Sequence, residues 1–181
     1  MENYRKWLEN LLNSKDLVGA IRENLDKLTD IIPEIKPMIN FEHRHPHHYL
    51  DVWEHTLCAL SFAPYDFDIR LALLLHDIGK PHSCQEGEIR HFKGHAVKSE
   101  SMAREILNRL NYSSEYIDFI CEIVLRHDLP LKKTDILNNL ELSKTIFEVQ
   151  KCDTLAHNPN TNERRDNYIK ETEELFNAFI V

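Results

Sequence analysis

The sequence predicts an all-α protein, and three observations indicate that class. Only 4 glycines occur among 181 residues, while Leu, Glu, Lys, Arg and Ile are plentiful, a composition that favours helices. Apolar residues recur at helical spacing between the prolines, and sustained alternation of the kind that strands show is absent. Because 42% of the residues are hydrophobic and 29% are charged, the chain can bury an ordinary globular core.

Each predicted helix is a run of apolar residues at spacings of three and four, bounded by proline or glycine. The segments 98–110 and 116–128 have the clearest apolar stripes. The predicted helices are two within residues 1–40, followed by 48–63, 67–79, 98–110, 116–128, 141–156 and a more polar one at 162–179. We therefore predict an N-terminal helical extension at 1–40, a main domain at 41–160, and a C-terminal helix at 161–181 that packs on the same domain.

Charge and hydropathy narrow the classes of function. The net charge of −8 argues against an extended nucleic-acid surface, although it leaves room for a small phosphate pocket. No apolar run approaches the roughly 20 residues of a membrane span, and the charged start MENYRKWLENLL is unlike a signal peptide, so we expect a cytoplasmic protein without a membrane partner. The cysteines form no CxxC pair, which indicates reduced thiols rather than a zinc ribbon.

Residues with metal-binding side chains fall on the apolar faces of the predicted helices. His55 lies three residues after Val52, and His76 lies three residues after Leu73, so both imidazoles should point inward. The complete set in such positions is His55, His76, Asp77, His95, His127 and Asp153. For any one of them alone, a hydrogen-bonded core residue is the simpler interpretation. Burial of all six without partners would be costly, whereas a divalent ion such as Fe, Mn, Zn or Ni accepts both imidazole and carboxylate ligands.

The order of these residues resembles a known pattern. His55, the pair His76-Asp77, and Asp153 match the H…HD…D pattern of the HD-domain superfamily of metal-dependent phosphohydrolases. The stretches DVWEHTL, LLHDIGKP, HFKGHA, RHD and CDTLAHNP are similar to the HD part of bacterial CCA-adding tRNA nucleotidyltransferases and their stand-alone relatives. The resemblance covers roughly residues 47 to 160 and implies an HD-domain helical bundle with a metal site between central helices. The nucleotidyltransferase head is missing from these residues, so we expect that the chain does not add nucleotides to tRNA.

The resemblance also implies the roles of the ligands. His55, His76, Asp77 and Asp153 would hold a first ion. His95 and His127 occupy the places of the two histidines that hold a second ion in the dinuclear branch, where Asp77 would bridge the ions. The cofactor is therefore one or two divalent metal ions, for which Fe, Mn, Ni, Zn, Mg and Co all occur in the superfamily.

Further residues are candidates for contact with a substrate. By resemblance, Lys80 of HDIGK reaches the substrate phosphate, which makes Asp77 and Lys80 the predicted catalytic residues. His48, Arg90 and Lys93 are weaker substrate-binding candidates. Surface charge is the alternative for Arg90 and Lys93, and most histidines of HRHPHH are expected to lie in an exposed loop. His157, one helical turn after Asp153, is expected to support the metal ligands.

We predict a metal-dependent phosphohydrolase that hydrolyses a nucleotide or another small phosphoester through metal-activated water. A 2′,3′-cyclic phosphate or a dinucleoside polyphosphate would fit such a site. Two alternatives keep the same residues: a dinuclear-iron oxygenase of the HD superfamily, and a non-catalytic nucleotide-binding sensor. The expected partner is a small phosphorylated substrate, and the expected assembly is a monomer or homodimer.

Overall fold

The computed structural model describes residues 2–161 and 163–180, and this part of the chain forms helices and loops without a β-strand. The α-helices are α1 (Glu2–Leu12), α2 (Leu17–Glu23), α3 (Leu25–Ile31), α4 (Val52–Ser61), α5 (Phe67–Leu75), α6 (His95–Arg109), α7 (Ser114–Arg126), α8 (Lys133–Asn138), α9 (Leu140–Leu155) and α10 (Glu163–Ile180). Short 3-10 helices lie at Pro33–Met38, Lys80–His82 and Pro159–Thr161. The predicted all-α class is confirmed.

Polar residues fix the beginnings of the helices that carry the site. The side chains of Asp51, Asp66, Ser113 and Asn139 precede α4, α5, α7 and α9, and each accepts a hydrogen bond from a backbone amide in the first turn. Such caps satisfy amides that have no partner inside the helix. None of the described helices has the length and apolar character needed to cross a membrane.

The predicted helix at 67–79 ends earlier than expected, at Leu75. His76 Nδ1 lies 2.7 Å from the carbonyl oxygen of Leu73, which the amide of Asp77 would use in a continuing α-helix. The amide of Lys80 instead donates to the carbonyl of Asp77, only three residues back. The chain therefore tightens into a turn, and Asp77 lies in that turn rather than on a helix face.

Two short helices were missed by the sequence analysis. Residues 1–40 were predicted to hold two helices and a turn, but they form α1, α2 and α3 followed by a 3-10 helix. Helix α8, with 6 residues, was not predicted. Elements this short hold less than two full turns, so an apolar period cannot be recognised in them.

Helix α5 is the centre of the molecule. Its residues from Ile69 to Leu75 are all buried, and it packs against α1, α4, α7 and α9. The guanidinium of Arg70, also buried, donates to the carbonyls of Leu12, Ser14 and Pro64 at 2.7, 3.1 and 2.9 Å. One core runs from α1 to α10, so the N-terminal helices are packed against the main domain. The boundaries at residues 41 and 161 stay predictions.

Gly79 allows α6 to approach the turn after α5. Its amide donates to Ser99 Oγ at 2.9 Å, and a Cβ at this position would lie 2.5 Å from the backbone nitrogen of Ser99 and 2.8 Å from the carbonyl oxygen of His95. A Cβ cannot lie so close to backbone atoms unless α6 moves away. The first turn of α6 is thus held against the His76-Asp77 turn.

We expect Gly79→Ala to lower the free energy of unfolding by about 1–3 kcal/mol, because the added methyl group forces α6 away. Urea denaturation measures this change. The control is Ser101→Ala on the exposed side of α6, which should change stability by less than about 0.5 kcal/mol. Equal denaturation midpoints for the two variants would contradict the close approach.

Candidate metal centre

The structure brings the six predicted ligands together from separate elements. His55 comes from α4, the pair His76-Asp77 from the turn after α5, and Asp153 from α9. His95 is the first residue of α6, and His127 directly follows α7. All are buried except His95, which is partly buried.

Asp77 lies between two groups of imidazoles. Its Oδ2 is 3.7 Å from His55 Nε2 and 3.2 Å from His76 Nε2. Its Oδ1 is 3.5 Å from His95 Nε2 and 3.7 Å from His127 Nε2. The two carboxylate oxygens therefore face different imidazole pairs, which is the arrangement that a bridging ligand requires.

Asp153 joins the first group, which His55 and His76 form on one side of Asp77. The second group consists of His95 and His127 on the other side. Asp153 Oδ1 lies 2.8 Å from His55 Nε2 and 3.6 Å from His76 Nε2. In the second group, His95 Nε2 and His127 Nε2 are 3.1 Å apart. Two sets of residues have possible ligand atoms that all lie within 4.8 Å of one another. One set is His55, His76 and Asp77, and the other is Asp77, His95 and His127.

Backbone carbonyls orient the imidazoles. His76 Nδ1 lies 2.7 Å from the carbonyl of Leu73, and His127 Nδ1 lies 2.7 Å from that of Val124. His95 Nδ1 contacts the carbonyl of Phe92 at 2.9 Å. Because a carbonyl only accepts, each Nδ1 carries a proton, and each Nε2 is the nitrogen directed at the centre. Hydrogen bonds of this kind are usual behind histidines that ligate metals.

The donor set fits divalent metal ions. His76 Nε2 and Asp77 Oδ1 are buried without any hydrogen-bond partner, a condition that is costly unless a cation satisfies them. Four imidazoles with two carboxylates suit Fe, Mn, Ni or Zn, whereas Mg²⁺ prefers oxygen ligands throughout. One or two ions can be placed with these residues as ligands.

Charges at the centre are compensated within the protein. Burial opposes ionisation of Asp77, but the neighbouring positive charges of His76 and Lys80 outweigh it and hold the pKa of Asp77 well below its ordinary value. The carboxylates of Asp77 and Asp153 in turn raise the pKa of His76 to about 10, against the effect of burial. Burial lowers the pKa of His127 to about 3, and the charge of His76 acts in the same direction. His127 is therefore a neutral imidazole.

Lys80 is buried beside Asp77. Its Nζ lies 2.6 Å from Asp77 Oδ2 and 3.2 Å from His43 Nε2. His43 Nδ1 contacts the carbonyl of Leu50 at 2.8 Å, so Nε2 is the nitrogen that accepts from Lys80. Burial and the charge of Lys80 lower the pKa of His43 to about 2. The expectation of exposed histidines in HRHPHH is wrong for His43, because the loop folds inward over the lysine.

The remaining predicted substrate-binding residues line one cavity of about 290 Å³ that opens onto the centre. His48 is stacked on His43, with ring centroids 3.8 Å apart. Arg90 pairs with Glu86 at 2.9 Å and donates to the carbonyl of Glu42, so its guanidinium already has protein partners. Lys93 is exposed at the cavity wall. The substrate-binding roles of these residues stay predictions.

Besides His43, two residues at the site were not predicted from the sequence. Arg165 of α10 reaches Asp153 Oδ2 with Nη1 at 3.5 Å and Asp128 Oδ1 with Nη2 at 3.9 Å. Both Arg165 and Asp128 line the small cavity and a second, larger one beside it. Asp128 stands in the motif RHD, which was the one available signal. His157, expected as a supporting residue, lies beside Asp153, with its Nδ1 2.7 Å from the Asp153 carbonyl.

Comparison with known proteins identifies the family. The HD domain family matches residues 47–167, so this chain belongs to the HD domain family, as the sequence motifs predicted. The match runs past residue 160 and takes in Arg165. Proteins of this family are of the metal-dependent phosphohydrolase type.

The chain is also similar to a tRNA nucleotidyltransferase and to multifunctional CCA proteins. It is 30% identical over 136 residues to the CC-adding tRNA nucleotidyltransferase of Thermus thermophilus, a match that covers 70% of this chain and 31% of that protein. It is 26% identical over 132 residues to the multifunctional CCA protein of Azoarcus sp., covering 71% and 31% of the two chains. The chain therefore spans about a third of the length of these relatives.

We expect Asp77→Ala to abolish metal retention, because the one carboxylate shared by both groups is lost. Elemental analysis of protein purified without added metal measures the content per chain. Asp166→Ala, at an exposed position on α10, is the matched control and should keep the wild-type content. Unchanged metal in Asp77→Ala would contradict the assignment of this centre.

Proposed function

We propose that this chain is a metal-dependent phosphohydrolase that hydrolyses a nucleotide or another small phosphoester. The observation that carries the proposal is the buried carboxylate of Asp77, whose two oxygens face separate imidazole groups at the floor of a cavity. Membership of the HD domain family supports this reaction class. One relative is named a CC-adding tRNA nucleotidyltransferase, but the nucleotidyltransferase head is missing from these 181 residues.

The ligands divide naturally between two ions. His55, His76, Asp77 and Asp153 would hold the first, and Asp77 with His95 and His127 would hold the second. A bound divalent ion supplies Lewis acidity and brings the pKa of a coordinated water towards neutrality. The protein contributes fixed orientation, because the ring nitrogens not directed at the centre are bonded to backbone carbonyls.

Lys80 has two functions in this proposal. Its ammonium group holds Asp77 in place through the contact of 2.6 Å. A second N–H of the same group donates to His43 Nε2. An ammonium group has three donors, and Lys80 lines the cavity, so one N–H remains for a phosphoryl oxygen. A positive charge in a buried place stabilises charge that develops on the phosphoryl group.

The chemistry of the donor set supports a second candidate, a dinuclear-iron oxygenase. Imidazole nitrogen and carboxylate oxygen are ligands that iron accepts, and the same six residues would hold both ions. A non-catalytic nucleotide sensor has less support, because every predicted ligand is present and directed at the centre. Oxygen consumption with an iron-loaded protein separates the oxygenase from the hydrolase.

We expect the purified protein to release phosphate or a nucleoside monophosphate from a panel of nucleoside monophosphates, 2′,3′-cyclic phosphates and dinucleoside polyphosphates. Each substrate is assayed with Fe, Mn, Ni, Zn, Co and Mg. Lys80→Ala should lower kcat/KM by roughly a hundredfold through loss of the buried charge, and Lys170→Ala, exposed on α10, should not. Absence of turnover with every metal and substrate would refute the hydrolase.

The metal content tests the division into two groups. Wild-type protein should hold two ions per chain, and His95→Ala or His127→Ala should hold one, because the first group keeps all of its ligands. Elemental analysis and titration calorimetry measure the number. His91→Ala, in the neighbouring loop, is the control. One ion in the wild type, or two in both variants, would remove His95 and His127 from the ligand set.

A further inference from the structure

We propose that the cavity between the loop after α7 and the facing parts of α9 and α10 binds the nucleoside part of a nucleotide, and that Arg165 binds its phosphate. This inference rests on the proposed function and names the substrate class of the same site. The cavity has a volume of about 810 Å³, within the usual range for small-molecule sites. Phosphate alone would need far less space.

The larger cavity adjoins the metal centre. His127 and Asp153, one from each side of the centre, line both cavities. A phosphoester at the centre would therefore have room for a bulky group on this side. The walls there include the uncharged side chains of Leu129, Pro130, Gln150, Thr154, Asn167 and Tyr168, beside the charged ones of Asp128, Glu163, Arg164, Arg165 and Glu171. Such a mixture suits a base and a ribose.

Arg165 stands at the junction of the two cavities, where a phosphate bound at the centre would meet the larger space. Its ion pairs with Asp153 and Asp128, at 3.5 and 3.9 Å, are longer than good charged hydrogen bonds, so a phosphate that binds at a shorter distance can compete with them. The side chain of Arg165 is 34% exposed to solvent. A planar guanidinium matches phosphate with two parallel donors.

The other cations line only one of the two cavities, because Lys80, Arg90 and Lys93 line the small one and Arg164 lines the larger one. Lys80 is 5% exposed and held by Asp77 and His43. Arg90 is held by Glu86 and the carbonyl of Glu42. Neither Lys80, Arg90 nor Lys93 lines the larger cavity. Arg165 is thus the cation of the small cavity that also faces the space for a nucleoside.

Two kinds of variant separate the phosphate contact from the nucleoside contact. Arg165→Ala removes the guanidinium. Arg165→Lys keeps the positive charge but loses the two parallel donors of the guanidinium. Asn167→Trp fills the larger cavity from α10 and leaves the metal ligands in place. Lys170→Ala, on the same helix and exposed, is the control for loss of one positive charge. The four ribonucleoside 5′-monophosphates are compared with glycerol 2-phosphate, which has no base.

We expect Arg165→Ala to raise KM for every phosphoester by roughly tenfold to a hundredfold, with partial recovery in Arg165→Lys. Asn167→Trp should raise KM about tenfold or more for the nucleotides and leave glycerol 2-phosphate unchanged, because only a nucleoside reaches the filled space. Metal content and melting temperature should stay at wild-type values in all variants. Equal effects of Asn167→Trp on both substrate classes, or a wild-type KM in Arg165→Ala, would overturn the inference.

Failure of the proposed function gives a different result. If the wild type hydrolyses no phosphoester, calorimetric titration of the metal-loaded protein with adenosine 5′-monophosphate still tests the cavity. Binding that weakens about tenfold in Asn167→Trp and in Arg165→Ala supports it. Absent binding, or equal binding by wild type and variants, refutes it.

Discussion

The buried carboxylate of Asp77 is the group on which the arrangement of the site depends. One oxygen faces His55 and His76, and the other faces His95 and His127, so four elements of the fold meet at one side chain. A buried carboxylate is unfavourable in isolation, and its surroundings supply the compensation through Lys80 and the imidazoles. The fold makes this possible because α5 ends before Asp77 and because Gly79 lets α6 come close.

Helical periodicity was enough to predict the class of the fold and the inward direction of several ligands. His55 and Asp153 lie within long helices, where an apolar face shows which side is buried. The pair His76-Asp77 is different. It lies in a turn beyond the end of α5, and a side-chain contact such as that of His76 with the carbonyl of Leu73 leaves no periodic trace in a sequence.

Other residues were out of reach of sequence reasoning for a related reason. His43 lies in a loop, where no spacing indicates burial, and its position follows from contacts with Lys80 and Leu50. Arg165 lies on a helix whose polar composition points to no particular neighbour. Such positions are set by tertiary contacts. The motifs around His76 and Asp153 identified the family, but they could not show which cations of the chain remain available to a ligand.

Hydrogen bonds behind the larger cavity determine how its wall behaves. Tyr168 Oη donates to Gln150 Oε1 and accepts from the amide of Leu131 at 2.9 Å, while Gln150 Nε2 donates to the carbonyls of Arg126 and Leu129 at 3.0 and 2.8 Å. The segment after α7 is thereby fastened to α9 and α10 at several points. A ligand of this cavity would therefore meet a wall that is already ordered. Little of the binding free energy is then spent on reorganisation.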